Sequence, residues 1–319
     1  MNSIMVDNWF MEEVIADIKE QKTHRSRCYG ELLMAIVLWD EVYYPKNNYN
    51  WWNSIPSQVQ NALIPLDDCG ERGVSKSLSE LHKHKGIAED DSSWLKWKNN
   101  AVLDVTDVIG SGAIRYLALS SNNGLDYLPC AKRQKFLKEY CSQSSIIRML
   151  TRLKLQDALT KTVEAYYVDA YKSLGDFSNL KLKMPVLANY IVDMATNNMS
   201  PVDFAFHLKN EGPVIRYRKF LRNIDDSLEK QDWKELKYLL RCSEDAVSSV
   251  ISMDSKKIAS VSVEILPTPR VIFNFSGETV KIGEVPSLTL KQFEKHFKKF
   301  SLVFLKDITK YAIEDMRRW

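Results

Sequence analysis

The segment "LLMAIVLWDEVYYPKNNYNWW", from Leu32 to Trp52, decides between two kinds of fold for this chain. Its eight consecutive apolar residues, Leu32–Trp39, fit either a buried helix or a central strand of a sheet. Good helix formers at its beginning favour a buried helix from Cys28 to Tyr43 that Pro45 ends. The role of the two acidic residues that follow, Asp40 and Glu41, depends on which of these structures precedes them.

Composition predicts a globular protein with a real core. Of the 319 residues, 45% are hydrophobic and 27% charged, with only 11 Gly and 10 Pro, which argues against disorder or a loop-rich β architecture. The 44 basic and 41 acidic residues nearly cancel, so only local clustering could indicate a polyanionic partner. Five cysteines without a C-x-x-C pair indicate reduced, buried thiols: Cys28, Cys69, Cys130, Cys141 and Cys242.

The chain is expected to be cytoplasmic. The reduced thiols favour that compartment, and Met1–Lys22 lacks the basic and apolar regions of a secretory signal. The longest apolar run has eight residues, whereas crossing a bilayer takes roughly 20. We therefore expect no transmembrane segment.

Periodicity predicts a mostly helical chain. Asn8 is a candidate cap for a helix that runs to about Gln21. The clearest pattern is a helix pair, in which an apolar stripe from Val214 to Leu228 is followed by the capping box "DWKEL" with Asp232 and Glu235.

Towards the C-terminus the apolar period changes from 3.6 to 2. Val261–Ile265 and Val271–Phe275 alternate around a proline turn, which predicts a small antiparallel β-hairpin. The predicted fold class is therefore α+β, predominantly α-helical with this hairpin near the C-terminus. The predicted divisions are an N-terminal helical lobe (1–142), a central helical region (143–254), and a β element with C-terminal helices (255–319).

Common catalytic motifs are absent. The sequence has no P-loop, dinucleotide fingerprint, H-E-x-x-H, G-x-S-x-G or C-x-x-C, so these sites lose their usual support. The pair His82 and His84 has a spacing that metals accept, but Lys83 and Lys85 would repel a cation, and no metal site is predicted. No cofactor is predicted either, and whether the chain is an enzyme stays open.

Asp40 carries the alternative hypothesis, a metal-dependent nuclease. If Ala35–Trp39 were a central strand, Asp40 would lie at its carboxyl end, where a carboxylate could bind Mg²⁺. Partner carboxylates could come from Asp104, Asp107 or Asp126. If the segment is a helix, Asp40 and Glu41 only end it.

Three clusters of basic residues could each mark a helix face that binds phosphates. The preferred cluster for nucleic acid is Arg216, Arg218, Lys219 and Arg222, with Tyr217 interleaved; the other two are Lys132, Arg133 and Lys135, and Arg148, Arg152 and Lys154.

A protein partner is also expected, because exposed Tyr and Trp dominate interface energetics. The aromatic residues predicted to contact it lie between Tyr43 and Trp52: Tyr43, Tyr44, Trp51 and Trp52.

The segment "FHLKNEGPVIRYRKFLRNIDDSLEKQDWKELKYLL", Phe206–Leu240, resembles a helical pattern in uncharacterised bacterial proteins, some encoded beside phage-defence or mobile-element genes. The resemblance covers only this segment and transfers no residue role. It implies a bacterial protein with a link to defence. The predicted function is a cytoplasmic interaction or regulatory module that acts through protein and nucleic-acid surfaces, with a defence or stress system as the context that the resemblance implies.

Overall fold

The structure is a computed structural model. It describes residues 2–20, 26–46, 55–67, 69–85, 92–102, 109–140, scattered helical positions between 149 and 165, and then 186–195, 199–255, 274–275, 278–279 and 302–316. The chain forms two compact units. The first comprises Met1–Leu150 and Asn197–Phe206, and the second comprises Thr151–Thr196 and His207–Trp319. The three-part division at residues 142 and 254 stays a prediction.

The first unit is built on a small parallel sheet. Its strands are β1 (Ile4–Val6), β2 (Val42–Pro45), β3 (Ile64–Leu66) and β4 (Asp126–Leu128), in the order β3-β2-β1-β4. All neighbouring strands are parallel, and Ile4 of β1 pairs with Val42 on one side and with Asp126 on the other. The α+β prediction is therefore wrong, because the main sheet is parallel and N-terminal.

Helices make the crossover connections that parallel strands require. Of the described helices, two lie between β1 and β2, one between β2 and β3, three between β3 and β4, and one directly after β4. They are α1 (Asn8–Lys19), α2 (Arg27–Leu38), α3 (Ser57–Ala62), α4 (Glu71–Lys85), α5 (Ser92–Val102), α6 (Ile109–Asn122) and α7 (Ala131–Tyr140).

The apolar segment that begins at Leu32 lies in a buried helix, α2, as predicted. Every residue of α2 from Cys28 to Leu38 is buried, as expected for a helix that is apolar on all sides. Ser26 caps it by accepting a hydrogen bond from the Tyr29 N–H at 3.0 Å. The helix ends earlier than Pro45, because the backbone of Trp39 is already extended (φ −110°, ψ 159°) and leads into β2.

The remaining described helices are α8 (Val186–Met194), α9 (Pro201–Lys209), α10 (Gly212–Glu229), α11 (Trp233–Ser255) and α12 (Val303–Met316). The predicted helix pair is confirmed as α10 and α11, which pack against each other. Asp232 caps α11 as predicted, because its Oδ1 accepts the Glu235 N–H at 3.0 Å. No helix in the described ranges is both long and apolar enough to cross a bilayer.

The prediction that a C-terminal hairpin forms the main β element of this fold is wrong. Near that position the described residues contain only a two-residue antiparallel pairing of β5 (Asn274–Phe275) with β6 (Glu278–Thr279). This pairing joins the end of the predicted second strand to residues after it. The predicted first strand, Val261–Ile265, lies outside the described residues.

Candidate functional site

Parallel sheets bind ligands at the carboxyl ends of their strands, where the strand order reverses. In this sheet the reversal lies between β1 and β4. Asp7 and Asn8 follow β1 there, and Cys130 follows β4 just before α7. We call this region the ligand edge. Sequence periodicity does not reveal the parallel sheet, so it does not bring these residues together.

Asp7 is fully buried at the ligand edge, and its carboxylate has several donors. Its Oδ1 caps α1 by accepting the Phe10 N–H at 2.7 Å. Its Oδ2 accepts the Tyr127 hydroxyl at 2.7 Å and lies 3.0 Å from Nη1 of Arg133. Burial first, and then the charge of Asp7, raise the pKa of Tyr127, so its hydroxyl keeps the donated proton.

Arg133 fills the ligand edge from α7, with a side chain that is 0% exposed. Its Nη1 also donates to Asn8 Oδ1 at 2.9 Å, and its guanidinium lies 4.3 Å from the Trp9 ring centroid and 5.2 Å from that of Tyr116. Burial is the largest single effect and lowers the pKa of Arg133, but the charge and hydrogen bond of Asp7 together with Tyr127 and Tyr116 raise it on balance. Arg133 is therefore a fixed cation.

Gly112 of α6 makes room for this guanidinium. A Cβ at that position would lie 2.3 Å from Nη2 of Arg133. The ligand edge is thus occupied by the chain's own charged pair, which joins β1, α1, α6 and α7. This arrangement stabilises the first unit and presents no accessible carboxylate at Asp7.

Two buried thiols lie beside this pair. Cys28 donates a hydrogen bond to Glu13 Oε2 at 2.7 Å. Burial, followed by this bond, raises the pKa of Cys28, and burial raises that of Cys130 to about 11. Both stay protonated near neutral pH, which makes them poor nucleophiles, as expected for structural cysteines.

Two acidic residues of the nuclease hypothesis, Asp40 and Asp126, lie at the opposite edge of the sheet. Asp40 precedes β2, so it is at the amino end of the strands, and its Oδ2 accepts the backbone N–H of Asn2 at 3.0 Å. Asp126 begins β4 and accepts the Trp39 indole N–H at 2.8 Å. Asp104 and Asp107 lie outside the described residues. The nuclease hypothesis stays a prediction, but its structural premise, a strand ending at Trp39, is wrong.

Metal-ligating side chains are not grouped in the part of the chain that the structure describes. There, no three His, Cys, Asp or Glu residues are placed so that they could hold a metal ion. His82 and His84 fall in the last turn of α4, and their side chains lie outside the described set.

The predicted protein-binding aromatics fall into two groups. Tyr43 and Tyr44 belong to β2 rather than to a loop. Tyr43 is half-buried and donates its hydroxyl to Glu41 at 2.9 Å, whereas Tyr44 is only 4% exposed. Trp51 and Trp52 lie outside the described residues, in the connection that leaves the carboxyl end of β2.

The predicted nucleic-acid residues lie on α10 in the second unit. Arg216, Lys219 and Arg222 are exposed, and we call these three the basic row. At 100° and 1.5 Å per residue, they fall within an arc of about 120° and span about 9 Å of the helix axis. Arg218 lies at the border of the buried face and is half-buried.

The opposite face of α10 is anchored in the core. Tyr217 is 1% exposed and packs against Phe220, with ring centroids 6.2 Å apart, and against Phe304 at 5.7 Å. Asp225, also on the inner face, forms a buried ion pair with Arg152. The basic row is therefore carried by a helix whose rotation is fixed by packing.

No family model matches the chain, and comparison with curated proteins and with solved structures also gives no match.

Proposed function

We propose that this chain is a bacterial cytoplasmic interaction module that binds nucleic acid through the basic row of α10. One observation carries the proposal: Arg216, Lys219 and Arg222 are exposed together on a helix whose opposite face is held in the core. A protein contact through Trp51 and Trp52, and a role in a defence or stress system, belong to the proposal but rest on sequence alone.

Electrostatics support this role for the basic row. The N-terminus is the positive end of a helix dipole. A cation near the N-terminus therefore does not stabilise the helix. Arg216 lies little more than one turn from the start of α10 at Gly212. Its charge adds to the positive potential of the helix end and opposes the negative charge of the N-cap residue Glu211.

Salt dependence tests the proposal. Three phosphate contacts give a slope of about −2.7 for log K against log salt on a duplex, so raising the salt from 50 to 200 mM should weaken binding about 40-fold. Fluorescence anisotropy with a labelled duplex measures this slope. The triple variant Arg216→Glu, Lys219→Glu, Arg222→Glu should abolish the association.

A matched control carries the same change of charge elsewhere. Lys19, Lys76 and Lys96 are exposed residues of the first unit and belong to none of the three basic clusters. Reversing these three charges should leave most of the binding intact, because the residues are not on α10. The proposal fails if the parent chain does not bind at 50 mM salt, or if both triple variants lose binding equally while folded.

A further inference from the structure

We infer that the basic row takes double-stranded nucleic acid in preference to single strands; this inference rests on the proposed function. Proteins that bind single strands combine cations with exposed aromatic rings on which the bases stack. Duplexes keep their bases stacked on one another, so a protein can hold them by phosphate contacts alone. Whether an exposed aromatic ring lies beside the basic row therefore decides between single strands and duplexes.

The basic row has no exposed ring on its own helix. The two aromatic residues of α10, Tyr217 and Phe220, are each 1% exposed and pack inward. The large apolar side chain on the outer face is aliphatic: Ile215, which is 48% exposed. The sequence had suggested an interleaved tyrosine at Tyr217, which would suit single strands, but the structure places that ring in the core.

A tyrosine pair of the second unit, Tyr190 and Tyr311, is half-buried with ring centroids 5.2 Å apart. Carboxylates surround it. Tyr311 donates its hydroxyl to Asp193 at 2.5 Å, and the charges of Glu211 and Asp307 contribute, after burial, to raising the pKa of Tyr190. A phosphate backbone would be repelled there, so this pair does not serve as a stacking platform.

The outer face of α10 also limits the contact to a few phosphates. Beyond the basic row it carries the exposed acids Asp226 and Glu229, which repel phosphates. Three cations over about 9 Å of axis then face the nucleic acid. With no exposed ring on α10 to add stacking, we expect counterion release to set the preference, and it is larger for a duplex (about 0.9 per phosphate) than for a single strand (about 0.7).

The size of the preference follows from these slopes. For three phosphate contacts the difference of about 0.6 in slope makes the duplex bind about sixfold tighter at 50 mM salt and about threefold tighter at 150 mM, relative to equal affinity at 1 M. The preference should therefore shrink as salt is added. Replacing Lys219 by glutamine should reduce the duplex slope by about 0.9.

The experiment uses the full chain and two probes with the same label, a 16-base-pair DNA duplex and one of its strands. Anisotropy titrations at 50 and 150 mM salt should give the stated preference. If the single strand binds as tightly or more tightly, the inference fails while the proposed function is retained. If neither probe binds, the proposed function itself fails. Poly-L-glutamate serves as a polyanion without phosphate groups. If the duplex binds and poly-L-glutamate does not, phosphate recognition is supported; if poly-L-glutamate binds as tightly as the duplex, phosphate recognition is overturned.

A gain-of-function variant tests the reason for the preference. Ile215→Trp adds a ring to the exposed face beside the basic row, at a position that is already solvent-accessible. Stacking should raise single-strand affinity several-fold and duplex affinity much less. Ile215→Leu is the matched control and should change neither affinity. Equal increases for both probes would contradict the inference that a missing ring excludes single strands.

Discussion

Replacing Gly112 by alanine tests the charged pair at the ligand edge. The added Cβ would lie 2.3 Å from Nη2, 2.6 Å from Cζ and 2.8 Å from Nε of Arg133, all well inside van der Waals contact. Because the Arg133 side chain is fully buried, its guanidinium can move away only by separating from Asp7 and Asn8. The substitution therefore acts on the ion pair through a neighbouring helix.

Two opposing effects set the magnitude. In an ordinary helix interior, Gly→Ala stabilises a protein by about 0.5–1 kcal/mol. Breaking a buried ion pair costs about 3–5 kcal/mol, because a charge is left buried without its partner. Gly112→Ala should therefore lower the free energy of unfolding by about 2–4 kcal/mol, a large part of the 5–15 kcal/mol typical of a domain.

A double-mutant cycle with Arg133→Met isolates the cause. With the guanidinium removed, Gly112→Ala displaces nothing charged and should be neutral or stabilising by up to about 1 kcal/mol. Urea unfolding followed by tryptophan fluorescence reports mainly on the first unit, because most of the tryptophans are in residues 1–150: Trp9, Trp39, Trp51, Trp52, Trp94 and Trp97.

If Arg133→Met alone does not fold, the cycle is run in the background of Asp7→Asn with Arg133→Met, in which both charges are absent. The outcome that refutes the reasoning is additivity. If Gly112→Ala destabilises the protein equally, within about 0.5 kcal/mol, with and without the guanidinium, then Arg133 is not what the added methyl group displaces.

Three further predictions concern single side chains. Burial raises the pKa of Glu244 from its ordinary 4.5 to about 7, so the stability of the second unit should fall as pH rises between these values, and Glu244→Gln should flatten that part of a urea-unfolding profile. Iodoacetamide at pH 8 should modify Cys28 and Cys130 only after unfolding, as peptide mass mapping will show; modification of the folded chain at the rate of free thiols would contradict their burial. Asp40→Asn keeps a hydrogen-bond acceptor and should change stability by less than about 1 kcal/mol; loss of a Mg²⁺-dependent nuclease activity in this folded variant would instead support the alternative function.

Helices were predictable because their signals are local. The apolar stripe from Val214 to Leu228 and the Asp232 cap lie within a few turns of the helices they specify, and the structure confirms both. Leu32–Trp39 was correctly predicted as buried helix from its composition. The predicted end of this helix was wrong by several residues, because the chain becomes extended at Trp39 and then pairs as β2 with β1 before Pro45 is reached.

The parallel sheet could not be predicted in the same way. Its strands, "IMV", "VYYP", "IPL" and "DYL", have three or four residues each, too few to show a period of 2. Their partners are distant in sequence, as in the pairing of Ile4 with Asp126. The helical periodicity between the strands was visible, but the pairing that joins them depends on long-range contacts.

The candidate sites show the same division between local and distant information. Arg133 hydrogen-bonds Asn8 over 125 positions, and nothing near it in the sequence marks it as buried. It appeared to belong to a basic face with Lys132 and Lys135, yet those two lysines are exposed while Arg133 is 0% exposed. A count of local positive charge cannot separate an arginine that neutralises an internal carboxylate from one that faces solvent.

Burial therefore decides which of the three basic clusters can bind a partner. The first cluster contributes Arg133 to the pair with Asp7, and the second contributes Arg152 to the pair with Asp225. Both of these charges are neutralised inside the protein, where phosphates cannot reach them. On α10 the buried charge is the carboxylate of Asp225, whereas the basic row and the acids Asp226 and Glu229 are exposed. The same packing that fixes α10 in the core leaves the three cations of the basic row exposed to solvent, which is why the nucleic-acid proposal rests on this cluster.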